Sequence, residues 1–141
     1  MEASAKLQVE VVSPEAISYS GEADLVVVRT VEGGDIAFQA GHVPFIGLLQ
    51  VWEAKIIRPD GTDVFAVHRG FVQVSGDKVT ILSDVAERVD EIDVPRAEAA
   101  RATAQAALAA DASDEEAAAA LVRANLRLRV AGAPAAAGSH H

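Results

Sequence analysis

Histidine and aspartate side chains are the first candidates for chemistry in this sequence. Asp35 lies seven positions before His42, and His68 is the only other histidine ahead of the terminal pair. Nucleophilic catalysis needs a serine or cysteine beside such a base, yet there is no cysteine and no G-x-S-x-G segment. A zinc site needs three or four ligands, more than two histidines supply. We therefore predict neither a catalytic nor a metal site. One remaining interpretation of His42 is a loop histidine held by backbone hydrogen bonds.

Two adjacent glycines, Gly33 and Gly34, could in principle cradle a phosphate. No Lys-Ser/Thr pair follows them and no helix pattern begins there, so the pair predicts a hairpin turn. The segment that follows has more large apolar side chains than one sheet face needs near a loop. Either they belong to the core or they form part of an exposed binding patch, and both remain open for Phe38, Val43, Phe45 and Ile46.

Composition excludes several classes of protein. The formal charge of −9 argues against binding of nucleic acid or anionic lipid, because both need a basic face. The N-terminal segment has no basic stretch leading into an apolar one, so we expect no signal peptide. No stretch of 18 consecutive residues is apolar and free of charge, so we expect no direct insertion into a membrane.

The first part of the chain has the period of β-strands. Leu7, Val9 and Val11 alternate with polar residues, which predicts a half-buried strand. The apolar run at 24–30 predicts a strand buried on both faces, and the segment at 13–23 is rich in turn residues. Pro-Asp-Gly and Ser-Gly-Asp, at 59–61 and 75–77, each separate two apolar runs and predict hairpins. Eight to ten short strands before residue 86 predict a sandwich or barrel.

The pattern changes at Asp93, which we expect to cap a helix with Pro95 in its first turn. Fourteen of the 24 residues at 97–120 are alanine, the best helix former. Ser113 and Glu116 match a capping box for a second helix, predicted to run to about Val130 and to stop at Gly132. The predicted domains are a β-sandwich at 1–90, a helical hairpin at 91–133, and a disordered tail with a tag remnant at 134–141.

The predicted seam between the two helices is lean. Alanine lets helices approach closely but buries little apolar area. Because burial stabilises by about 25 cal/mol per Å² of apolar surface, such a contact contributes little free energy. Such a pair is either an ordinary alanine-rich hairpin or one that needs another surface and can come apart. The inward positions predicted from spacing are Ala100, Ala104 and Leu108 on the first helix and Leu121, Ala124 and Leu128 on the second.

Three segments together resemble the epsilon subunit of F-type ATP synthases. They are GGDIAFQAGHVPFIGLL at 33–49, HRGFVQVSGDKVTILSDVAERVDEID at 68–93, and IDVPRAEAARATAQAAL with ALVRANLRLRV at 92–108 and 120–130. The order and spacing fit over residues 5–130. Departures from the family pattern occur at Ala37, at Gln39–Ala40 and at His68–Arg69, and they affect the detail of contacts in loops and at strand ends.

The resemblance implies a ten-stranded β-sandwich followed by an antiparallel two-helix hairpin, with no chemistry of its own. It implies a non-catalytic central-stalk subunit that couples proton flow to ATP synthesis and restrains ATP hydrolysis through its C-terminal helices. The implied partners are the gamma subunit, the membrane rotor ring of c subunits, and the alpha and beta catalytic subunits. Asp35 and His42 match positions at the rotor-ring interface. The implied location is peripheral, on the cytoplasmic face of the bacterial plasma membrane.

No cofactor is implied as a requirement, but ATP is implied as a regulatory ligand. Some bacterial members of the family bind ATP through an Ile/Leu-Asp-x-x-Arg-Ala motif in the folded-down tail, and IDVPRA at 92–97 is similar to it. The alternative is that the arginines only complement a helix dipole and pair with acids. The residues that match by resemblance are Glu87, Ile92, Asp93, Arg96, Ala97, Arg123 and Arg127.

Two other classes of function remain at this stage. One is a free-standing nucleotide sensor that uses the same tail residues. The other is a β-sandwich protein-binding module with a helical dimerisation hairpin.

Overall fold

The computed structural model describes residues 6–138, with side chains described for 6–132. It contains ten strands, a short 3₁₀ turn at Val89–Glu91 and two helices. By contacts the chain divides into two compact units, Met1–Arg88 and Val89–His141. The strands are β1 (Leu7–Ser13), β2 (Ala16–Ala23), β3 (Leu25–Thr30), β4 (Gly34–Phe38), β5 (Phe45–Leu49), β6 (Trp52–Arg58), β7 (Gly61–Val67), β8 (Gly70–Ser75), β9 (Lys78–Ser83) and β10 (Ala86–Arg88); the helices are α1 (Val94–Ala110) and α2 (Glu115–Gly138).

All ten strands belong to one hydrogen-bonded sheet that folds over on itself. The order is β10-β7-β6-β3-β5-β8-β9-β1-β2, with β4 paired to β3. The connection between the two halves is narrow, because β3 meets β5 only where Thr30 faces Leu49. The halves are β4-β3-β6-β7-β10 and β5-β8-β9-β1-β2, and every pairing is antiparallel except β1 with β9. The predicted ten-stranded β-sandwich is confirmed.

The core of the first unit comes from alternate residues of strands in both halves. Leu7, Val9 and Val11 of β1 are fully buried, as the alternation predicts, and pack in one cluster with Phe38, Phe65 and Ile56. Every residue of this cluster lies between Leu7 and Ile81. The prediction for β3 was wrong, because Val26, Val28 and Thr30 are buried while their neighbours are half-exposed. A short apolar run does not distinguish a strand buried on both faces from one whose outer face is merely apolar.

The turn residues predict the two hairpins correctly, but one segment predicted to be rich in turns forms a strand. The predicted hairpins appear as β6–β7 and β8–β9, and Gly34 takes a positive φ of 70° in the β3–β4 connection. The segment expected to be rich in turns forms strand β2 instead, paired with β1 along its length. Its serines and Gly21 are compatible with an edge strand, where pairing with β1 outweighs weak β-propensity.

The helical hairpin begins as predicted and continues further. Asp93 caps α1, its Oδ1 accepting from the Arg96 N–H at 3.1 Å, and Pro95 lies in the first turn. The predicted capping box was wrong: Asp114 caps α2 through the Ala117 N–H at 3.0 Å, while Ser113 binds Asp111.

The predicted end of the second helix near Val130 was also wrong, because α2 continues through Gly132 to Gly138. The flanking alanines favour helix, and one interior glycine costs only about 1 kcal/mol. The remainder of the predicted tail and tag, at 139–141, lies outside the described residues.

The helix seam is alanine-rich, with shifted positions. Ala104 and Ala124 are buried as predicted, whereas Ala100 is exposed and Leu108, Leu121 and Leu128 are only half-buried. The buried set on these helices is Ala97, Ala104, Ala117, Ala124, Leu126 and Val130. Within the same unit, α2 also packs against the 3₁₀ turn Val89–Glu91 that precedes α1.

Candidate functional site

An exposed apolar row crosses the outer face of the β5-β8-β9-β1-β2 half. Leu48 faces Phe71, Phe71 faces Leu82, Leu82 faces Val12, and Val12 faces Ile17 across successive strand pairs. Directly paired residues share a face of a sheet. Leu48, Phe71, Leu82 and Ile17 are each at least 41% exposed. We call these five residues the apolar row; contiguous exposed apolar surface of this kind marks sites of protein contact.

A groove lies on each side of Phe71. The groove on the β5 side is lined by Ile36, Ile46, Leu48 and Phe71 together with Glu32. The groove on the β9 side is lined by Val12, Pro14, Phe71 and Leu82 together with Asp84. The residues that line each groove therefore include several apolar side chains and one carboxylate.

The four apolar residues that sequence left open divide between core and surface. Phe38 is fully buried and Phe45 packs partly buried against the core. Ile46 and Val43 are each 69% exposed. Ile46 belongs to the same outer face as the apolar row, because β5 alternates, whereas Val43 lies in the β4–β5 loop at the other end of the strands.

Asp35 lies near the start of β4 and forms an ion pair with Arg29 on the neighbouring strand. The Nε of Arg29 donates to Oδ1 of Asp35 at 2.8 Å, and the guanidinium lies 3.7 Å from the centroid of the Trp52 ring. The hydrogen bond from Arg29 lowers the pKa of Asp35 below its ordinary value. Asp35 is exposed despite this pairing, so a partner can reach it.

His42 lies in the loop after β4, at the opposite end of that strand from Asp35. Its Nδ1 is 2.7 Å from the carbonyl oxygen of Val43, and its backbone N–H donates to Gln39. The ring meets Phe38 edge-on, with centroids 4.8 Å apart. Backbone contacts therefore hold this loop histidine, which agrees with one of the interpretations of His42. The structure does not bring His42 and Asp35 together.

A buried histidine–glutamate contact escaped sequence reasoning. His68 is 4% exposed at the end of β7, and its Nε2 lies 3.0 Å from Oε1 of Glu87 on β10. Nearby, the Ser83 hydroxyl is 2.7 Å from the carbonyl oxygens of both Arg69 and Val85. The available signal was a polar residue, His68, that directly follows a run of apolar strand residues. These contacts connect the ends of β7, β9 and β10 near the C-terminal end of the first unit.

The residues matched to a nucleotide site lie in both units. Glu87 belongs to the first unit, where it contacts His68, and the other six belong to the second. Ile92 and Ala97 are buried, which makes them packing residues. Asp93 and Arg96 are exposed at the start of α1, while Arg123 and Arg127 are half-buried on α2.

Across residues 6–138 the structure offers no metal site and no membrane span. No group of three or more histidine, cysteine or acidic side chains among these residues is placed to hold a metal ion. Neither described helix is long and apolar enough to cross a bilayer.

A β-sandwich with an exposed apolar row on its outer face, followed by a two-helix hairpin, is typical of a subunit that contacts other proteins. The family described as ATP synthase, Delta/Epsilon chain, beta-sandwich domain matches residues 6–89. The ATP synthase epsilon chain of Shouchella clausii is 42% identical over 128 residues, covering 90% of this chain and 96% of the relative. That of Thermobifida fusca is 44% identical over 141 residues, covering 97% and 100%. The chain belongs to the ATP synthase epsilon chain family.

A solved structure supports the fold. A Euglena gracilis mitochondrial ATP synthase structure, containing OSCP, F1 and the c-ring, includes a chain that matches with a TM-score of 0.67 at 21% identity, covering 99% of this chain and 85% of that one. Family membership makes this chain a non-catalytic subunit of the F-type ATP synthase. Family membership therefore favours this function over the two other classes, a free-standing nucleotide sensor and a β-sandwich protein-binding module.

Proposed function

We propose that this subunit binds the gamma subunit through the apolar row and forms part of the rotor stalk that couples proton flow to ATP synthesis. The observation that carries this proposal is the row itself: four of its five side chains are well exposed, on the outer face of a well-packed sandwich. A folded monomer gains nothing from such exposure, whereas a permanent partner would bury it. The subunit then works at the cytoplasmic face of the bacterial plasma membrane, held there by its partners.

We propose that the loops at the ends of the strands contact the c-ring. Asp35 and His42 lie at opposite ends of β4, so we expect separate substitutions of them to have unequal effects on coupling. The C-terminal helices reach the alpha and beta subunits and restrain ATP hydrolysis. A lean alanine seam suits this role, because separating the helices exposes little apolar area.

The test is binding and reconstitution with a matched pair of proteins. The full chain should bind purified gamma subunit from the same bacterium with 1:1 stoichiometry in calorimetry. Added to enzyme stripped of this subunit, it should restore proton-coupled ATP synthesis while having no ATPase activity alone. Absence of gamma binding at micromolar concentrations of both proteins would overturn the proposal.

A second proposed role is regulatory binding of ATP by the helical hairpin. It is supported by the antiparallel arrangement of α1 and α2 and by the packing of α2 against the 3₁₀ turn before α1. In our proposal the later part of α2 lies towards Asp93 and Arg96. Arg123 and Arg127 are four residues apart, hence on one helix face, and guanidinium groups are strong binders of phosphate. Bound ATP would favour the compact hairpin over a separated one.

Titration of the full chain with ATP tests this second role. The double variant Arg123→Ala/Arg127→Ala should lose the binding heat, whereas Arg101→Ala on α1 should keep it. No heat and no thermal shift at millimolar ATP would overturn the role. Undiminished binding by the double variant would show that these arginines do not form the site.

A further inference from the structure

Arg69, in the connection between β7 and β8, has a strained backbone. Its φ is 78°, and among the residues that the structure describes no other non-glycine residue has a positive φ. In this left-handed region the Cβ of an L-residue crowds the backbone, so the conformation costs free energy that glycine does not incur. Such strain persists only where the surrounding structure holds it, and it is most frequent at functional sites.

The neighbours of Arg69 hold this strained conformation. His68 is buried before it, and the His68 N–H donates to the carbonyl oxygen of Val85 at 3.0 Å. The carbonyl oxygen of Arg69 itself lies 2.7 Å from the hydroxyl of Ser83. Gly70 follows and lies against the backbone of β9. The backbone of Arg69 is therefore fixed on both sides, while its side chain is exposed.

Arg69 also differs from the other basic residues of the sandwich in its charge environment. The segment 1–92 has seven lysines and arginines, and six of them have a carboxylate oxygen within 4.0 Å. The six are Lys6, Arg29, Lys55, Arg58, Lys78 and Arg88. The guanidinium of Arg69 has no ion pair or hydrogen bond with any residue that the structure describes. The strained residue is thus also the basic residue whose charge the fold does not use.

Arg69 lies at the same end of the strands as Asp35. Thr30 at the end of β3 pairs with the first residue of β4 and with the last residue of β5, which in turn pairs with the first residue of β8. The β3–β4 and β7–β8 connections are therefore at one end of the sandwich. Exposed carboxylates surround that end, namely Glu15, Glu32, Asp35 and Asp84. Although acids are plentiful there, none of them pairs with Arg69.

We propose that Arg69 is a specificity-determining residue of the rotor-ring contact, and that its guanidinium binds a carboxylate of the c-ring. This inference rests on the proposed function, because it names the end of the strands and the charge that recognise the ring. Asp35, which matches a rotor-ring position, lies at that end. Arginine suits the role because its planar fork can hold a carboxylate through two hydrogen bonds. The fixed backbone limits the conformational entropy that binding removes.

An anionic lipid headgroup is the less suitable occupant. Residues 1–92 have 15 acidic and 7 basic side chains, so the sandwich as a whole is repelled by an anionic surface. One guanidinium does not offset that repulsion, but it is enough to recognise one carboxylate on a protein that other contacts already hold in place.

The first experiment measures how the complex of the full chain with gamma subunit binds detergent-solubilised c-ring from the same bacterium. Arg69→Ala and Arg69→Gly should each weaken binding roughly 10-fold, because both lack the guanidinium. Arg69→Lys keeps the charge and should retain more of the affinity than Arg69→Ala. Lys78→Gln is the matched control, because it removes one exposed positive charge at the other end of the strands. It should bind like wild type.

The second experiment separates the guanidinium from the backbone. Arg69→Gly relieves the strain and should raise the melting temperature of the full chain by about 2–4 °C, whereas Arg69→Ala keeps the strain and should not. A residue with only a structural role would not give a variant that is more stable and yet binds the ring less well. A melting temperature of Arg69→Gly no higher than that of Arg69→Ala would contradict the strain on which the inference depends.

The outcomes distinguish this inference from the proposed function. If the wild-type complex binds the ring and the alanine and glycine variants bind it equally well, the inference is overturned and the ring contact stands. If Arg69→Lys binds no better than Arg69→Ala, the positive charge does not recognise the ring. Binding of the wild-type complex to phosphatidylglycerol vesicles without c-ring, lost in Arg69→Ala, would assign the residue to lipid instead. Failure of the wild-type complex to bind the ring would overturn the proposed ring contact together with this inference.

Discussion

At the scale of single residues, Gly70 is the position with the least tolerance for a side chain. A Cβ on Gly70 would lie 1.9 Å from the carbonyl oxygen of Leu82 on the paired strand, and its φ is 153°. Neither strand can move away, because β8 and β9 are paired along their whole length. Gly70 belongs to a segment that resembles the family, but the close approach of the two backbones depends on the register between β8 and β9, which the sequence does not show.

We expect Gly70→Ala to lower the free energy of unfolding by about 3 kcal/mol, at or above the upper end of overpacking costs. Gly132→Ala is a useful comparison, since a Cβ there meets nothing within 4 Å inside α2. It should stabilise the hairpin by about 0.5–1 kcal/mol through helix propensity. Urea unfolding followed by circular dichroism measures both. A neutral Gly70→Ala would contradict the close approach.

The pairing of Asp35 with Arg29 makes a prediction about pH. Because the hydrogen bond from Arg29 lowers the pKa of Asp35, the folded chain binds this proton less readily than the unfolded chain. The pair therefore contributes stability fully above the ordinary aspartate pKa of about 4, and loses it as pH falls through the lower folded value.

Asp35→Asn should thus be less stable than wild type near neutral pH, with a small difference because the carboxylate is exposed. The difference should disappear as pH falls through the lowered folded pKa of Asp35. Urea unfolding of both chains near neutral pH and in strong acid measures this difference. A difference that persists in acid would mean that shape, not charge, accounts for the effect of the substitution.

At the scale of elements, the start of α2 shows which of two residues, Ser113 or Asp114, caps the helix. Ser113 and Glu116 have the spacing of a capping box, yet Asp114 accepts the hydrogen bond from Ala117. We expect Asp114→Ala to destabilise the hairpin by about 1 kcal/mol, the usual cost of losing a cap. Ser113→Ala should have a smaller effect on α2, since its hydroxyl binds Asp111 instead. Thermal unfolding at 222 nm compares them, and the reverse order would restore the serine as the cap.

The elements also show how far sequence reasoning reaches. Alternation and turn residues were enough to predict β1, β6, β7, β8 and β9, because those signals are local. Strand β2 was missed because its stability comes from pairing with β1, a partner that local composition does not reveal. The apolar row could not be predicted from the sequence for the same reason. Its residues come from five strands, and only the register of the sheet aligns them. The contact of His68 with Glu87 likewise joins strand ends 19 positions apart.

At the scale of the whole molecule, the two units have separate interiors. The cluster that forms the core of the sandwich draws all its residues from Leu7 to Ile81. We therefore expect residues 1–92 to fold alone, with a cooperative unfolding transition, and to retain affinity for gamma. In an assembled enzyme that contains this truncated chain, ATP hydrolysis should rise because the helices no longer restrain it. A truncated chain with a disordered circular-dichroism spectrum would contradict the first expectation, and unchanged hydrolysis would contradict the second.

The alanines between α1 and α2 have a consequence for how the hairpin responds to temperature. The heat-capacity increment of unfolding scales with the apolar area exposed, and Ala97, Ala104, Ala117 and Ala124 each hide very little. The stability of the hairpin therefore changes almost linearly with temperature, without the pronounced curvature that a large hydrophobic interior gives to the sandwich. Cooling does not carry the closed hairpin past a temperature of maximum stability, so the two helices are not subject to the cold destabilisation that weakens a large apolar core.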